Sequence, residues 1–434
     1  MTINGIWDWA NTLSQKVPLE SLRKKVLSID GHIWLYESLK GCEAHHQQIP
    51  NTYLVTFYHR ILRLMAHQIT PIVVFDSVNS SSPAHEASDQ SQFAPRKRRS
   101  FGDSPFTNLV DHVYKANVLL KNLGIRVIIA PGDGEAQCAR LEELGVTSGC
   151  ITTDFDYFLF GGKNLYRFNF GPTTMKSVAL HDATHLSIGR INQEKKIARP
   201  HLISTAILLG CDYFQHGVQN VGIVTVFDIL AEFGDEGSED VDPHVILDRF
   251  ASYVREEIPA RSEDTPRKLR LRRKKYNFNQ GFPNSHDVHN AIRMYKSPPV
   301  SNETPDLEQT KPVFLSEVTH ILEKECGWTP ETMRRDVVQD VKRCEKMASS
   351  MAQTRIPEYF GITKANKFLP IVEPCHSMDE YISAQKTWIR KRKQGEDRDS
   401  GKRFLDGRRR GHRISDHPKD PRTYSDDVIT LDSD

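Results

Sequence analysis

Short apolar runs alternate with amphipathic stretches through the first half of the chain. Lys25–Asp30 (KVLSID), Pro71–Asp76 (PIVVFD), Ile125–Ala130 (IRVIIA) and Cys150–Thr153 (CITT) read as strands with apolar residues on both faces. Between them, His32–Leu39, Thr52–His67, Asn108–Leu123 and Ala136–Leu144 carry helical patterns, and Leu54, Phe57, Ile61 and Leu64 fall near a 3.6-residue period. Strand, helix, strand, helix with wholly apolar strands predicts an α/β fold, a parallel sheet flanked by helices on both faces. In such sheets function collects beyond the carboxyl ends of the strands. No internal repeat is visible.

The polar residues that interrupt this pattern are acids, and they recur in one place. Asp30, Asp76, Asp133 and Asp154 each stand at or just beyond a predicted strand end. The segment Pro131–Phe160 is the densest, with Asp133 and Glu135 at one end of a predicted helix and Asp154 and Asp156 beyond the next strand. Any one such Asp has an ordinary alternative role as a turn former or helix cap. An acid at every strand end is not explained that way, and clustered carboxylates suit a hard divalent cation. Farther on, the apolar helix Leu202–Leu209 runs into G-C-D-Y, which places Asp212 near a helix C-terminus, against the macrodipole. Gly217–Gly222 (GVQNVG) then opens onto the apolar Ile223–Leu230; such a hairpin either presents backbone N–H groups to a phosphate or serves as a packing loop between helices. No Ser–His or Cys–His arrangement stands out as a nucleophile.

Composition narrows the class. The chain has 434 residues, 38% apolar and 26% charged, enough for one large or two ordinary domains with a real core. Net charge is only +2, but basic runs are segregated at Arg96–Arg99, Arg267–Lys275 and Arg390–Arg413, which suits a polyanionic partner. The seven cysteines include no C-x-x-C pair, against a zinc module and for a reducing compartment. Met1–Trp9 has no basic and apolar leader pattern, and no apolar run approaches the ~20 residues of a membrane span, so an intracellular, membrane-free protein is expected.

Taken in order, S-I-D at Asp30, V-V-F-D at Asp76, G-D-G-E-A-Q-C-A at Asp133 and Glu135, T-T-D-F-D at Asp154 and Asp156, and L-L-G-C-D-Y at Asp212 resemble the flap endonuclease/XPG superfamily of structure-specific DNA nucleases. K-Y-N-F-N-Q-G-F-P at Lys275–Pro283 and L-E-K-E-C-G-W from Leu322 are similar to its Holliday-junction resolvase branch. The resemblance implies a PIN-like parallel sheet with a helix–two-turn–helix DNA-binding element. It implies two Mg²⁺ ions, replaceable by Mn²⁺, held by the catalytic acids Asp30, Asp76, Asp133, Glu135, Asp154, Asp156 and Asp212. It implies DNA contacts at Arg96, Lys97, Arg98, Arg99, Gly217, Gly222, Arg270, Arg272 and Arg273. The implied substrates are four-way junctions, nicked in pairs by two subunits on one junction, and 5′ flaps, in recombination and repair in the nucleus. The alternatives are a flap or repair-bubble nuclease that does not resolve junctions, and a non-catalytic DNA-binding scaffold. Thr2 stands where the family has glycine, Asp133 where it usually has glutamate, Asn220 where a glycine is common and Ile223 where a basic residue is common.

The expected organisation is an N-terminal nuclease half (1–105) with a polar, mobile arch at 77–104, an internal half (106–200), a helix-hairpin DNA-binding region (201–310), a helical accessory region (311–385) and a disordered basic tail (386–434). In the arch, few apolar positions are available for a packed gateway, which suits a junction with no free end to thread. Gln353, Ile356, Tyr359 and Phe360 resemble a sliding-clamp peptide, with a self-packing anchor as the alternative. Val428, Ile429 and Leu431 between acids resemble a SUMO-interacting strand. The tail's basic clusters read as a nuclear localisation signal or as extra DNA contacts.

Overall fold

The computed structural model of the chain describes residues 5–44, 51–77, 109–170, 182–306, 313–327 and 337–342, with isolated positions nearby. In order, these form α1 (Ile6–Ala10), β1 (Gln15–Val17), β2 (Val26–Asp30), α2 (Gly31–Ala44), α3 (Thr52–Ala66), β3 (Thr70–Phe75), α4 (Leu109–Asn122), β4 (Arg126–Ile129), α5 (Gly134–Glu143), β5 (Cys150–Ile151), α6 (Asp156–Leu159), β6 (Asn164–Asn169), β7 (Asp182–Ser187), α7 (Ile188–Lys195), α8 (Arg199–Leu209), α9 (Ile223–Phe233), α10 (Pro243–Val254), α11 (Pro266–Arg273), α12 (His286–Lys296) and α13 (Leu315–Cys326). Among the described residues no helix is long and apolar enough to cross a membrane.

One sheet carries the strands in the order β1-β7-β6-β5-β2-β3-β4. From β6 to β4 every pairing is parallel, and β7 is antiparallel to both β6 and β1. The four strands expected from apolar runs are adjacent in this order. The antiparallel side is an addition: β6 (NLYRFN) and β7 (DATHLS) are only partly apolar, with Leu165 and Tyr166 buried on β6 and Ala183 and Leu186 on β7. The run Cys150–Thr153 forms only two residues of strand, and Thr152 turns away to serve the site described below.

Alternation along the strands explains why they are apolar throughout. Ile72 and Val74 enter one core with α1, α5, α6 and the helices from α8 to α12, while Val73 and Phe75 enter a second core with α2, α3, α4 and α13. The α3 positions Leu54, Phe57, Ile61 and Leu64 are all fully buried in that second core. On α13, Val318 and Leu322 are buried, but Phe314 is 51% exposed. Phe314 instead precedes the helix, with its N–H donating to the Asn122 carbonyl at 2.9 Å. The parallel strands all deliver their carboxyl ends to one edge of the sheet, and that edge holds the acids.

The entry to β5 leaves no room for a side chain. Gly149 has φ +143°, its carbonyl accepts from Ser28 N–H, and a Cβ there would lie 2.4 Å from the Asn164 carbonyl oxygen. Gly149→Ala is expected to destabilise the protein by about 2–3 kcal/mol with an unchanged denaturant slope. Urea unfolding followed by fluorescence checks this, and an unshifted midpoint would contradict the packing.

Candidate active site

Each acid is placed by the element that ends or begins at it. Asp30 closes β2 and is fully buried; its Oδ1 accepts from the Ile33 N–H at 3.0 Å and its Oδ2 from the Thr152 hydroxyl at 3.1 Å. The same Thr152 oxygen accepts the Asp154 N–H at 3.0 Å, so one hydroxyl ties the ends of β2 and β5 together. Asp154 Oδ1 in turn accepts the Asp156 N–H at 3.1 Å, a local turn that sets the i, i+2 pair side by side. Asp76 follows β3. Its Oδ1 accepts the Gly134 N–H at 2.9 Å, and its own N–H donates to His32 Nδ1 at 2.9 Å, which places the ring proton of a neutral His32 on Nε2. A Cβ at Gly134 would fall 2.9 Å from Asp76 Oδ1, so glycine permits α5 to begin against that carboxylate. Asp133 is the N-cap residue of α5 and Glu135 lies in its first turn. Asp212 lies in the loop after α8, three residues beyond its last turn.

Burial and mutual repulsion dominate the electrostatics. Burial, then the Asp76 and Asp154 charges, push Asp30 up to about 7. Burial, with Asp76 and Asp212, raises Asp133 to about 6 against the opposing bond from Tyr213. Burial holds Glu135 well above the usual range, with Asp30, Asp76, Asp154 and Asp133 each adding. Asp156 is held well above it by burial and then by Asp154 and Asp212, and Asp154 is raised by burial and by Asp212. All seven predicted acids therefore sit in one another's fields. Among the described residues no lysine or arginine pairs with Asp30, Glu135 or Asp156.

The donor set fits hard divalent cations. It is all carboxylate, and among the described residues the buried Asp156 Oδ1 has no hydrogen-bond partner. Among the described residues no three acidic, imidazole or thiol side chains converge on a finished metal cage. The acids are near enough to shift one another's pKa without touching a common point.

The structure adds residues that sequence reasoning missed. Tyr213 donates its hydroxyl to Asp133 Oδ2, and Tyr295 donates to Asp156 Oδ2 at 2.9 Å. Tyr213 and Thr152 adjoin recognised acids and were findable from G-C-D-Y and T-T-D. Tyr295 comes from α12, 139 residues from its partner, with no local signal.

The residues singled out for DNA fare differently. Gly217 has φ +56°, and a Cβ there would meet Leu209 and Gly210 backbone at 2.7 Å, so this glycine packs the hairpin onto the end of α8. Gly222 is the N-cap residue of α9 and opens to free space. Gln219 bridges to Asn277, and Lys274 Nζ reaches the Thr225 hydroxyl at 3.1 Å, which draws the segment after α11 beside the start of α9. Arg270 and Arg273 are exposed on α11, whereas Arg272 lies over the Tyr253 ring at 4.8 Å and 3.9 Å from Glu256. Tyr276 and Phe278 are not exposed stacking platforms; they pack against Phe250 at 5.1 and 6.0 Å because they help close the core under α10. Arg96, Lys97, Arg98 and Arg99, the arch beyond Ser77, the clamp-like Gln353, Ile356, Tyr359 and Phe360, and the SUMO-like Val428, Ile429 and Leu431 lie outside the described residues.

An α/β sheet with acids massed at its strand ends and a helical hairpin beside them defines a carboxylate-rich α/β domain. Comparison with known proteins specifies it. The XPG N-terminal domain matches residues 1–99 and the XPG I-region matches 124–212. The chain is 27% identical over 274 residues to mouse flap endonuclease GEN homolog 1, covering 62% of this chain and 28% of that one. It is 28% identical over 270 residues to single-strand DNA endonuclease 1 of Oryza sativa subsp. japonica, covering 58% and 39%. The chain thus spans well under half the length of these relatives. Its fold matches the catalytic core of Rad2 in complex with DNA substrate (TM-score 0.58, 24% identity, 78% and 98% covered). It also matches human GEN1 in complex with Holliday junction DNA (TM-score 0.56, 20% identity, 85% and 82% covered). The chain belongs to the flap endonuclease/XPG superfamily.

The raised carboxyls make a sign-definite prediction. A group that holds its proton more tightly folded than unfolded contributes stability that is complete below its ordinary pKa of 3.8 and is lost as pH rises through the folded value, about 7 for Asp30 and about 6 for Asp133. In EDTA, the thermal midpoint is expected to fall between about pH 4 and about pH 7, and Asp30→Asn to flatten that fall. Scanning calorimetry across pH on both proteins checks this; identical pH dependence in the two would contradict it.

Proposed function

We propose that the chain is a divalent-metal-dependent, structure-specific DNA endonuclease that resolves four-way junctions by paired nicks and also cuts 5′ flaps, in recombination and repair in the nucleus. The observation that carries this reading is the gathering of Asp30, Asp76, Asp133, Glu135, Asp154, Asp156 and Asp212 at one sheet edge, with the buried Asp156 Oδ1 left without a hydrogen-bond partner among the described residues. Bound there, two Mg²⁺ or Mn²⁺ ions would supply Lewis acidity to the scissile phosphodiester and lower the pKa of the attacking water.

The chain's own residues bring the phosphate to that edge. Thr152 and Gly134 fix the orientation of Asp30 and Asp76 through neutral donors, which leaves their negative charge for the cations. The start of α9 offers free N–H groups, and Lys274 beside it adds a positive charge, so the duplex arm is held by its backbone without reading sequence. Exposed Arg270 and Arg273 extend that contact. On this reading residues 201–310 are the DNA-arm half of the enzyme and the sheet is its catalytic half.

The mouse relative's name and the human Holliday-junction complex support the junction substrate. The test is cleavage of labelled immobile junctions and 5′ flaps side by side with Mg²⁺. Symmetric junction nicks are expected, lost by about a thousandfold or more in Asp156→Asn while DNA binding persists. Flap cleavage alone would move the protein to the flap and repair-bubble alternative. DNA binding without cleavage in Mg²⁺ or Mn²⁺ would leave the scaffold reading. In a separate titration, Arg273→Ala is expected to weaken binding to all branched DNAs alike and to reduce the salt slope by about one; an unchanged slope would remove Arg273 from the interface.

A further inference from the structure

Two tyrosines reach the acids from beyond the sheet. Tyr213, in the loop after α8, donates to Asp133 Oδ2, and Tyr295, near the end of α12, donates to Asp156 Oδ2 at 2.9 Å. Their rings meet edge to face with centroids 5.1 Å apart, and Phe160 packs on Tyr295 at 5.2 Å. Tyr295 is fully buried. Its carbonyl accepts from Arg199 Nη2 at 2.7 Å, and Arg199 Nε donates to the Leu159 carbonyl at 2.8 Å. Arg199 therefore ties the end of α12 to the end of α6, the helix that Asp156 opens. The Tyr295 hydroxyl is delivered to one place relative to Asp156.

Packing requires the rings and not the hydroxyls. Phenylalanine would fill the same space in both positions. What the hydroxyl adds is direction: a carboxylate with one oxygen held by a phenol keeps its plane and presents the other oxygen along a fixed line. On Asp156 that other oxygen is Oδ1, the buried atom without a partner among the described residues. A neutral donor achieves this without cancelling charge, which a lysine or arginine would do.

We infer that Tyr213 and Tyr295 are positioning residues for the divalent-cation site, each holding one oxygen of an acid so that the other faces the ion. The inference rests on the nuclease reading above. It also makes the site composite, since its acids lie at the sheet edge and one of its positioning hydroxyls comes from α12.

The experiment compares Tyr295→Phe, Tyr213→Phe and the double variant with wild type in the full chain. Tyr53→Phe is the control, because that buried hydroxyl on α3 has no partner among the described residues. Mn²⁺ affinity of the DNA-free protein is read by calorimetry, junction affinity in EDTA by gel shift, and kcat and KM from cleavage. Each site variant is expected to bind Mn²⁺ about tenfold or more weakly, the usual scale for removing an outer-shell partner of a ligand. kcat falls with it and recovers at high Mn²⁺, while KM, junction affinity and the control stay at wild-type values. Equal Mn²⁺ affinity in wild type and double variant overturns the inference even if the thermal midpoint drops, because the hydroxyls then serve folding alone. Should Tyr295→Phe not fold, the loop variant Tyr213→Phe decides by the same readings. A wild type that neither binds Mn²⁺ nor cleaves DNA removes the nuclease reading itself, and this inference with it; an active wild type with unaltered variants removes only the inference.

Discussion

Carboxylates buried beside one another at neighbouring strand ends are the constraint on which the rest of the structure depends. Desolvation raises Asp30, Asp133, Glu135, Asp154 and Asp156, and neighbouring acids raise them further, so these buried groups oppose folding at neutral pH. The fold tolerates this by surrounding the acids with neutral donors: the Ile33 and Gly134 N–H groups and the Thr152, Tyr213 and Tyr295 hydroxyls. Neutral donors satisfy single oxygens and leave the net charge standing. A salt bridge would have been more stable without metal and useless for holding one. On the proposed reading the sheet edge accepts this cost to stability in order to hold a cation, the usual direction of compromise at functional sites.

The helical half touches the acids of this edge through Tyr213 on Asp133 and Tyr295 on Asp156, while Arg199 binds α6 to α12 and Gly217 presses the hairpin onto α8. Gln219 and Lys274 draw the hairpin, α9 and the segment after α11 together, and the helices around them pack in the same core as Tyr295 and, at its margin, Tyr213. On the proposed reading, one packed unit sets the geometry at both the phosphate and the metal.

Much of this was legible in sequence because the signals were local. Wholly apolar strands exposed the doubly covered sheet, and Leu54, Phe57, Ile61 and Leu64 marked the buried face of α3. The strand-end position of the acids followed from the same pattern. The β6–β7 pair was not legible, since its buried positions, Leu165 and Tyr166 on β6 and Ala183 and Leu186 on β7, follow no two-residue alternation, and the basic run Arg267–Lys275 does not reveal that Tyr276 just beyond it packs on Phe250. Tyr295 could not have been found, because its partner Asp156 is distant in sequence and a tyrosine on an amphipathic helix looks like any core residue. Long-range hydrogen bonds leave no periodicity.

The most direct measurement of the central claim is anomalous diffraction from crystals of this protein soaked in Mn²⁺. The account predicts manganese peaks at the sheet edge, bounded by Asp30, Glu135, Asp154 and Asp156, with Asp156 Oδ1 among the ligands. Ordered, diffracting crystals with no manganese at that edge, or with manganese bound only elsewhere on the surface, would contradict it.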